Sequence, residues 1–283
     1  MINIDNNEFF ELFKFPGGEI GIKWKQAPAL SKFQHLLARL NSCDDVFKLL
    51  TVADGYKRMG YELEVTIPYV PAARQDRVAN LGEALSIKIY TDIINSCGFR
   101  RVNIVDPHSD VTPALLNNCN ILPVSHILQE IVAEGDYNVI LIPDAGAAKK
   151  TFSYYFPNEE TRQGLQFVQC LKKRDTLTGK LSGFQITESI KNNGRCLIVD
   201  DIIDGGGTFI GLAEHLKNGS YGWSIDKLGV YGTHGIFSKG TDCLLWKEVV
   251  GAHGKGRKPI FDEIYTTNTI QETREGVWVL QCV

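Results

Sequence analysis

The sequence has no apolar run approaching the roughly 18 residues that cross a bilayer, no long basic stretch, no Cys-x-x-Cys pair and no Walker A loop. Each absence removes a class of function. Without the apolar run no membrane association is expected, and without a basic surface no nucleic acid is expected as a partner. The seven cysteines (43, 97, 119, 170, 196, 243 and 282) are odd in number and scattered, so neither a disulfide framework nor a structural zinc is indicated. Residues 251–258 hold glycines and lysines, but no Gly-Lys-Ser/Thr at P-loop spacing. Residues 1–14 are acidic and polar ahead of Phe9-Phe10 and lack the charged-then-apolar order of a signal peptide, which gives the expectation of a cytoplasmic protein. No internal repeat or low-complexity segment is visible.

What is present is a chain of 283 residues with 43% hydrophobic content and a net charge of −3. That length accommodates two α/β domains of about 140 residues, each burying its own core. Strand-like and helical stretches alternate, which predicts mainly parallel sheets with helices on both faces. In the first half the pattern predicts a helix over 44–60, a strand over 61–68, a helix over 82–97 capped by Gly98, and a buried strand over 101–105. The second half repeats it, with strands over 139–142, 165–170, 196–199 and 228–233 and helices over 125–133, 147–155 and 209–217. The least structured transition places a domain boundary near 125.

The most informative stretch is 196–209. A short apolar strand ends in Asp200 and Asp201, and Asp204-Gly205-Gly206-Gly207-Thr208 leads into a helix. Consecutive glycines let backbone N–H groups close round a phosphate, and the helix aims the positive end of its dipole at the anion. Carboxylates at the strand end accept hydrogen bonds from ribose hydroxyls or hold a divalent cation. Together these features describe a site for a phosphorylated sugar. Five further clusters fall at predicted strand ends, where α/β folds bind ligands. They are Arg74-Gln75-Asp76, Asp106-Pro107-His108, Asp144 with the glycine and lysines that follow it, the cationic Lys172-Lys173-Arg174 ahead of a polar turn-rich segment, and Thr233-His234-Gly235-Ile236-Phe237-Ser238.

In this order, and with the loop at 200–208, the clusters resemble the ribose-phosphate diphosphokinases (phosphoribosyl-diphosphate synthetases) from about residue 44 to residue 270. Type I phosphoribosyltransferases share the 200–208 loop alone and are the weaker match. A non-catalytic regulatory homologue is a third reading, against which Lys172, Arg174, His108 and Asp144 are all retained. The resemblance implies two similar phosphoribosyltransferase-like domains, residues 1–125 on the ATP side and 126–283 carrying the ribose-phosphate loop. It implies Mg2+-dependent transfer of the β,γ-diphosphoryl group of ATP to the anomeric hydroxyl of ribose 5-phosphate or ADP-ribose, with AMP released. By the same resemblance Phe15, Glu19, Arg74, Gln75, Asp76 and His108 bind ATP, and His108 and Asp144 ligate the magnesium. Lys172 and Arg174 are the catalytic cations of a mobile loop. Asp200, Asp201, Asp204, Gly205, Gly206, Gly207 and Thr208 hold the ribose phosphate. A homodimer or higher homo-oligomer is expected.

The chain also departs from that family. Residues 77–83 lack its basic, serine-containing regulatory loop, Gly17 stands where an Asp or Asn touches adenine, and the family's closing helix is absent after 276–281. Gly205 replaces the first threonine of the family's Asp-Thr-x-Gly-Thr turn. That loss removes a donor and opens space for an esterified phosphate, which resembles the branch in bacteriophages that rebuild NAD and act on ADP-ribose.

Overall fold

The computed structural model describes residues 1–26, 31–174, 181–190, 193–218, 224–251 and 254–283. The chain forms two compact units, Met1–Leu122 and Pro123–Val283. The fold is α/β.

The first unit runs β1 (Ile2–Asn3), β2 (Phe10–Lys14), β3 (Ile20–Trp24), β4 (Phe33–Leu37), α1 (Cys43–Arg58), β5 (Glu62–Ile67), α2 (Ser86–Ser96), β6 (Arg101–Val105), α3 (Val111–Leu115) and β7 (Cys119–Leu122). Its sheet has the order β1-β4-β5-β6-β7 with every neighbour parallel. Because spatial order follows chain order, right-handed crossovers carry α1 and α2 to the same face. Leu36, Val65, Ile67, Val102 and Ile104 of the sheet accordingly share one core with Leu49, Val52 and Tyr56 of α1 and Ile87 and Ile94 of α2. Alternation puts polar side chains on the opposite face. His35 Nε2 lies 2.7 Å from Thr66 Oγ1, Asn103 Nδ2 donates to Thr66 Oγ1 at 3.5 Å, and Asn120 Nδ2 donates to Asn103 Oδ1 at 2.8 Å. The antiparallel hairpin β2–β3 packs on α1 through Trp24, whose ring stands edge-on to Tyr56 with centroids 4.9 Å apart.

The second unit runs α4 (Ser125–Glu134), β8 (Val139–Ile142), α5 (Ala145–Lys150), a π-helical turn (Thr151–Tyr155), α6 (Glu159–Arg162), β9 (Gln166–Arg174), β10 (Leu181–Ile186), β11 (Gly194–Ile203), α7 (Gly207–Asn218), β12 (Ile225–Gly235), α8 (Asp242–Leu245), β13 (Trp246–Gly251), β14 (Gly254–Pro259), β15 (Glu263–Thr267) and β16 (Trp278–Leu280). Its seven-stranded sheet has the order β10-β9-β8-β11-β12-β15-β16, and only β10 is antiparallel to its neighbour. Here helices do cover both faces. Phe209, Leu212 and Leu216 of α7 pack on the face that presents Leu141, Ile198 and Val230. Tyr155 of the π turn meets Tyr231 on the other face, ring centroids 6.3 Å apart.

Several predicted elements differ in extent: the helix expected over 82–97 spans Ser86–Ser96, and the strands expected over 196–199 and 228–233 lengthen to Gly194–Ile203 and Ile225–Gly235, so that Asp200 and Asp201 lie within β11. The helix expected over 147–155 begins at Ala145 and widens into the π turn at Thr151, and the strand expected to end at 170 continues to Arg174. Among the described residues no helix is long and apolar enough to cross a membrane.

Candidate active site

In the second sheet β8 connects outward to β9, whereas β11, on the other side of β8, connects through α7 to β12. The direction of winding therefore reverses between β8 and β11, and a crevice opens beyond their carboxyl ends, the usual ligand position in an open α/β sheet. The register pairs Leu141 with Ile198, so Asp144 and Asp201 emerge at similar height on adjacent strands. This topology brings Asp144, Asp200, Asp201 and the glycine turn to one edge.

Asp144 is the N-cap of α5, its Oδ1 accepting from the Ala147 N–H at 2.9 Å. The same short helix ends in Lys150, whose Nζ lies 3.0 Å from Asp201 Oδ2, both side chains largely buried. The Asp201 N–H donates to Asp200 Oδ1 at 2.9 Å. Burial pushes the Asp200 carboxyl well above the usual carboxylate range, and the charges of Asp201 and Asp144 add to the shift. Lys150 thus pairs with Asp201 while the Asp144 and Asp201 charges both act on Asp200. Lys150 has no role in the sequence reading. The signal that could have found it is a lysine six positions after the acid that caps its helix.

The upward shift at Asp200 has a defined sign. A carboxyl whose folded pKa is raised binds a proton more tightly in the native state, so it is neutral to stability below its ordinary value of 3.8 and increasingly unfavourable as pH rises towards the folded value. Asp200→Asn is therefore expected to raise the Tm in metal-free buffer at neutral pH, with the gain shrinking towards pH 4. Melting curves across that range check it, and a gain that grew on acidification would refute the shift.

The glycine turn follows β11. Gly206 takes φ +74°, and a Cβ there would meet Leu244 Cδ2 at 2.6 Å, so both backbone and packing demand glycine. A Cβ on Gly207, in the first turn of α7, would meet nothing within 4 Å. The Ile210 N–H closes the first helical turn on the Gly206 carbonyl at 2.9 Å. Asp204, partly buried, accepts from the Ser238 N–H at 3.3 Å, which ties this turn to the one after β12. Thr208 is partly buried on α7. His234, in the motif that follows, is buried with Nδ1 3.0 Å from Thr269 Oγ1, a packing role inside the sheet.

Lys172 and Arg174 do not lie in a loop, the position the sequence assigned them. They belong to β9, which pairs with β8 only as far as Gln169 and thereafter with β10 alone. A two-stranded ribbon thus carries both residues past the end of β8. Alternating pairing of the backbone with β10 holds this charged segment extended. Residues 175–180, at the tip of the ribbon, lie outside the described residues.

The other candidates sit in the first unit. Arg74 and Gln75 are exposed on a turn after β5, where the Gln75 N–H reaches the Ala72 carbonyl at 2.8 Å. The ion pair of Asp76 is with Arg77, 3.5 Å. His108, partly buried, follows β6 through Asp106, a buried acid held at φ +43°. Since β5 and β6 are parallel neighbours, these two segments leave the same edge of the sheet. Phe15 and Glu19 are at the tip of the β2–β3 hairpin, where the Phe15 ring is half exposed and edge-on to Phe13.

No family model matches the chain. A ribose-phosphate pyrophosphokinase of Mycoplasmopsis pulmonis is 28% identical over 237 residues, 80% of this chain and 65% of that protein, and one of Pyrococcus furiosus is 29% identical over 268 residues, 92% of this chain and 85% of that protein. The chain is homologous to the ribose-phosphate pyrophosphokinases. The match takes in just under two thirds of the Mycoplasmopsis relative and more of the Pyrococcus one. The fold agrees. A phosphoribosylpyrophosphate synthetase from Mycobacterium smegmatis superposes with a TM-score of 0.72 over 96% of this chain and 85% of its own, at 19% identity.

Proposed function

We propose that the chain transfers the β,γ-diphosphoryl group of ATP to the anomeric hydroxyl of a ribose-5-phosphoryl acceptor. The observation that carries this reading is the meeting of acidic strand ends and a glycine phosphate turn at the switch point of the second sheet. In the reaction the acceptor oxygen bonds to the β-phosphorus, the bond from that phosphorus to the α-phosphate oxygen breaks, and AMP leaves. The hydroxyl proton is lost as the new bond forms. No covalent enzyme intermediate is required, so the protein contributes positioning and charge stabilisation. Asp200 and Asp201 would orient the ribose hydroxyls, the turn 204–208 would hold the 5-phosphate, and Lys172 and Arg174 would neutralise the transferring oxygens. Arg74, Gln75, Asp76, His108, Phe15 and Glu19 would bind ATP.

The family implies magnesium, and the donor set here fits it. Asp144, Asp200 and Asp201 lie near one another and offer hard carboxylate oxygens. Such donors suit a cation that keeps waters and substrate phosphates as most of its ligands. Asp144 would contribute a carboxylate to it, and when bound it would neutralise phosphate charge.

Ribose 5-phosphate and ADP-ribose are the acceptors proposed, the latter because Gly205 leaves the phosphate turn without a side chain. AMP release from ATP and magnesium, measured with each acceptor, tests both parts. Release with neither overturns the reaction, and release with ribose 5-phosphate alone overturns the extended acceptor.

A further inference from the structure

The space that the sequence reading expects Gly205 to open is instead flanked by the Lys239 side chain. Its φ lies outside the left-handed region, so the backbone does not exclude a side chain, and a Cβ built there would stand 3.4 Å from Lys239 Cε, 3.6 Å from Cδ and 3.8 Å from Nζ. The Lys239 stem therefore runs along the flank from which a side chain at 205 would project, and its ammonium ends beside the turn. The lysine backbone is held there too. The Ile236 and Phe237 N–H groups both donate to the Ile203 carbonyl, at 2.8 and 3.2 Å, and the Gly240 N–H closes on Phe237 at 2.8 Å. With the bond from the Ser238 N–H to Asp204, the segment carrying Lys239 is fastened to both ends of the strand-to-turn junction.

The charge arrangement points the same way. Among the described residues no acid pairs with the Lys239 ammonium, which is exposed beside the amino end of the 12-residue helix α7. A cation beside the positive end of a helix dipole is mutually unfavourable until an anion joins them. Room for that anion exists, since nothing stands within 4 Å of a Cβ at Gly207.

We propose that Lys239 is the side-chain cation of the acceptor-phosphate site, supplying by charge what a hydroxyl at position 205 would supply by hydrogen bonding. This rests on the reading of the turn as a phosphate cradle and extends it to specificity. A compact ammonium on a flexible four-carbon stem follows negative charge without demanding one geometry. The same residue then serves a terminal phosphate and one esterified within a diphosphate.

The test is steady-state kinetics of Lys239→Met and Lys239→Arg. Lys239→Met is expected to raise the acceptor KM about tenfold to a hundredfold, the range for loss of a charge-assisted hydrogen bond, with kcat within about threefold and KM for ATP unchanged. Lys239→Arg should retain most of the parent acceptor affinity. Gly205→Thr added to Lys239→Met should recover part of the loss, because the hydroxyl returns as the stem withdraws. An unchanged acceptor KM in Lys239→Met, or an equal rise in KM for ATP, overturns the proposal. If the protein releases no AMP with any acceptor, the proposed reaction fails on its own. Calorimetric titration with ribose 5-phosphate then decides Lys239 separately, weaker binding by Lys239→Met supporting it and equal binding refuting it.

Discussion

Lys172→Ala is expected to lower kcat roughly 30-fold to 1000-fold, about 2–4 kcal/mol of barrier, while changing the KM of ATP and acceptor far less. Beyond Gln169 the backbone of β9 has no partner on the β8 side, and only β10 keeps it extended. On the proposed reaction, this ribbon would bring Lys172 and Arg174 past the end of β8. A group that stabilises charge arising in the transition state affects turnover more than ground-state binding. Arg174→Ala should behave alike, and the double variant should lose less than the sum of the two if both act on the same oxygens. Steady-state kinetics at saturating ATP checks this. Parent-like turnover in Lys172→Ala would remove that residue from the chemistry.

Lys150→Met is expected to cost about 3–5 kcal/mol of unfolding free energy at neutral pH, the range for removing one partner of a buried ion pair. Asp201 would be left charged and buried beside Asp200, whose own carboxyl is already forced towards its neutral form. The native state relieves the problem by taking up a proton, so the loss should shrink as pH falls through the carboxylate range. Lys150→Met with Asp201→Asn should recover more than half of it, because the uncompensated charge goes with the second substitution. Urea unfolding of the parent, both single variants and the double variant measures the coupling. A loss below about 1 kcal/mol in Lys150→Met would mean that the pair behaves as a solvated one and the site carries less electrostatic strain than described.

The parts of this protein that its sequence made legible are those where one stretch of chain carries both the signal and its cause. The strands over 101–105 and 139–142 have the bounds the sequence predicts, the second because a parallel strand buried on both faces is a continuous apolar run between turn residues. The glycine turn and the helix after it were readable for a similar reason, since a tight turn is local: Gly206 must be glycine for its own φ, and α7 starts at the next residue. Short or polar strands escaped. β4, Phe33–Leu37, carries Gln34 and His35 because His35 joins a polar ladder to β5 and β6, and the β2–β3 and β13–β14 hairpins are held by partners that no single segment displays.

Tertiary structure alone decided the electrostatics. Lys150 meets Asp201 across 51 positions of sequence, and the two turns that bring Lys239 to Gly205 are 34 apart, so neither pairing leaves a periodicity to read. The run Lys172–Arg174 looked like a solvated loop because charge is the usual mark of one, yet pairing with β10 satisfies its backbone and makes it strand. The physical reason is common to all three. Backbone propensity and apolar periodicity act over a few residues and are written in order along the chain, whereas the field at a site sums over groups that only the winding of the sheet brings to the same edge.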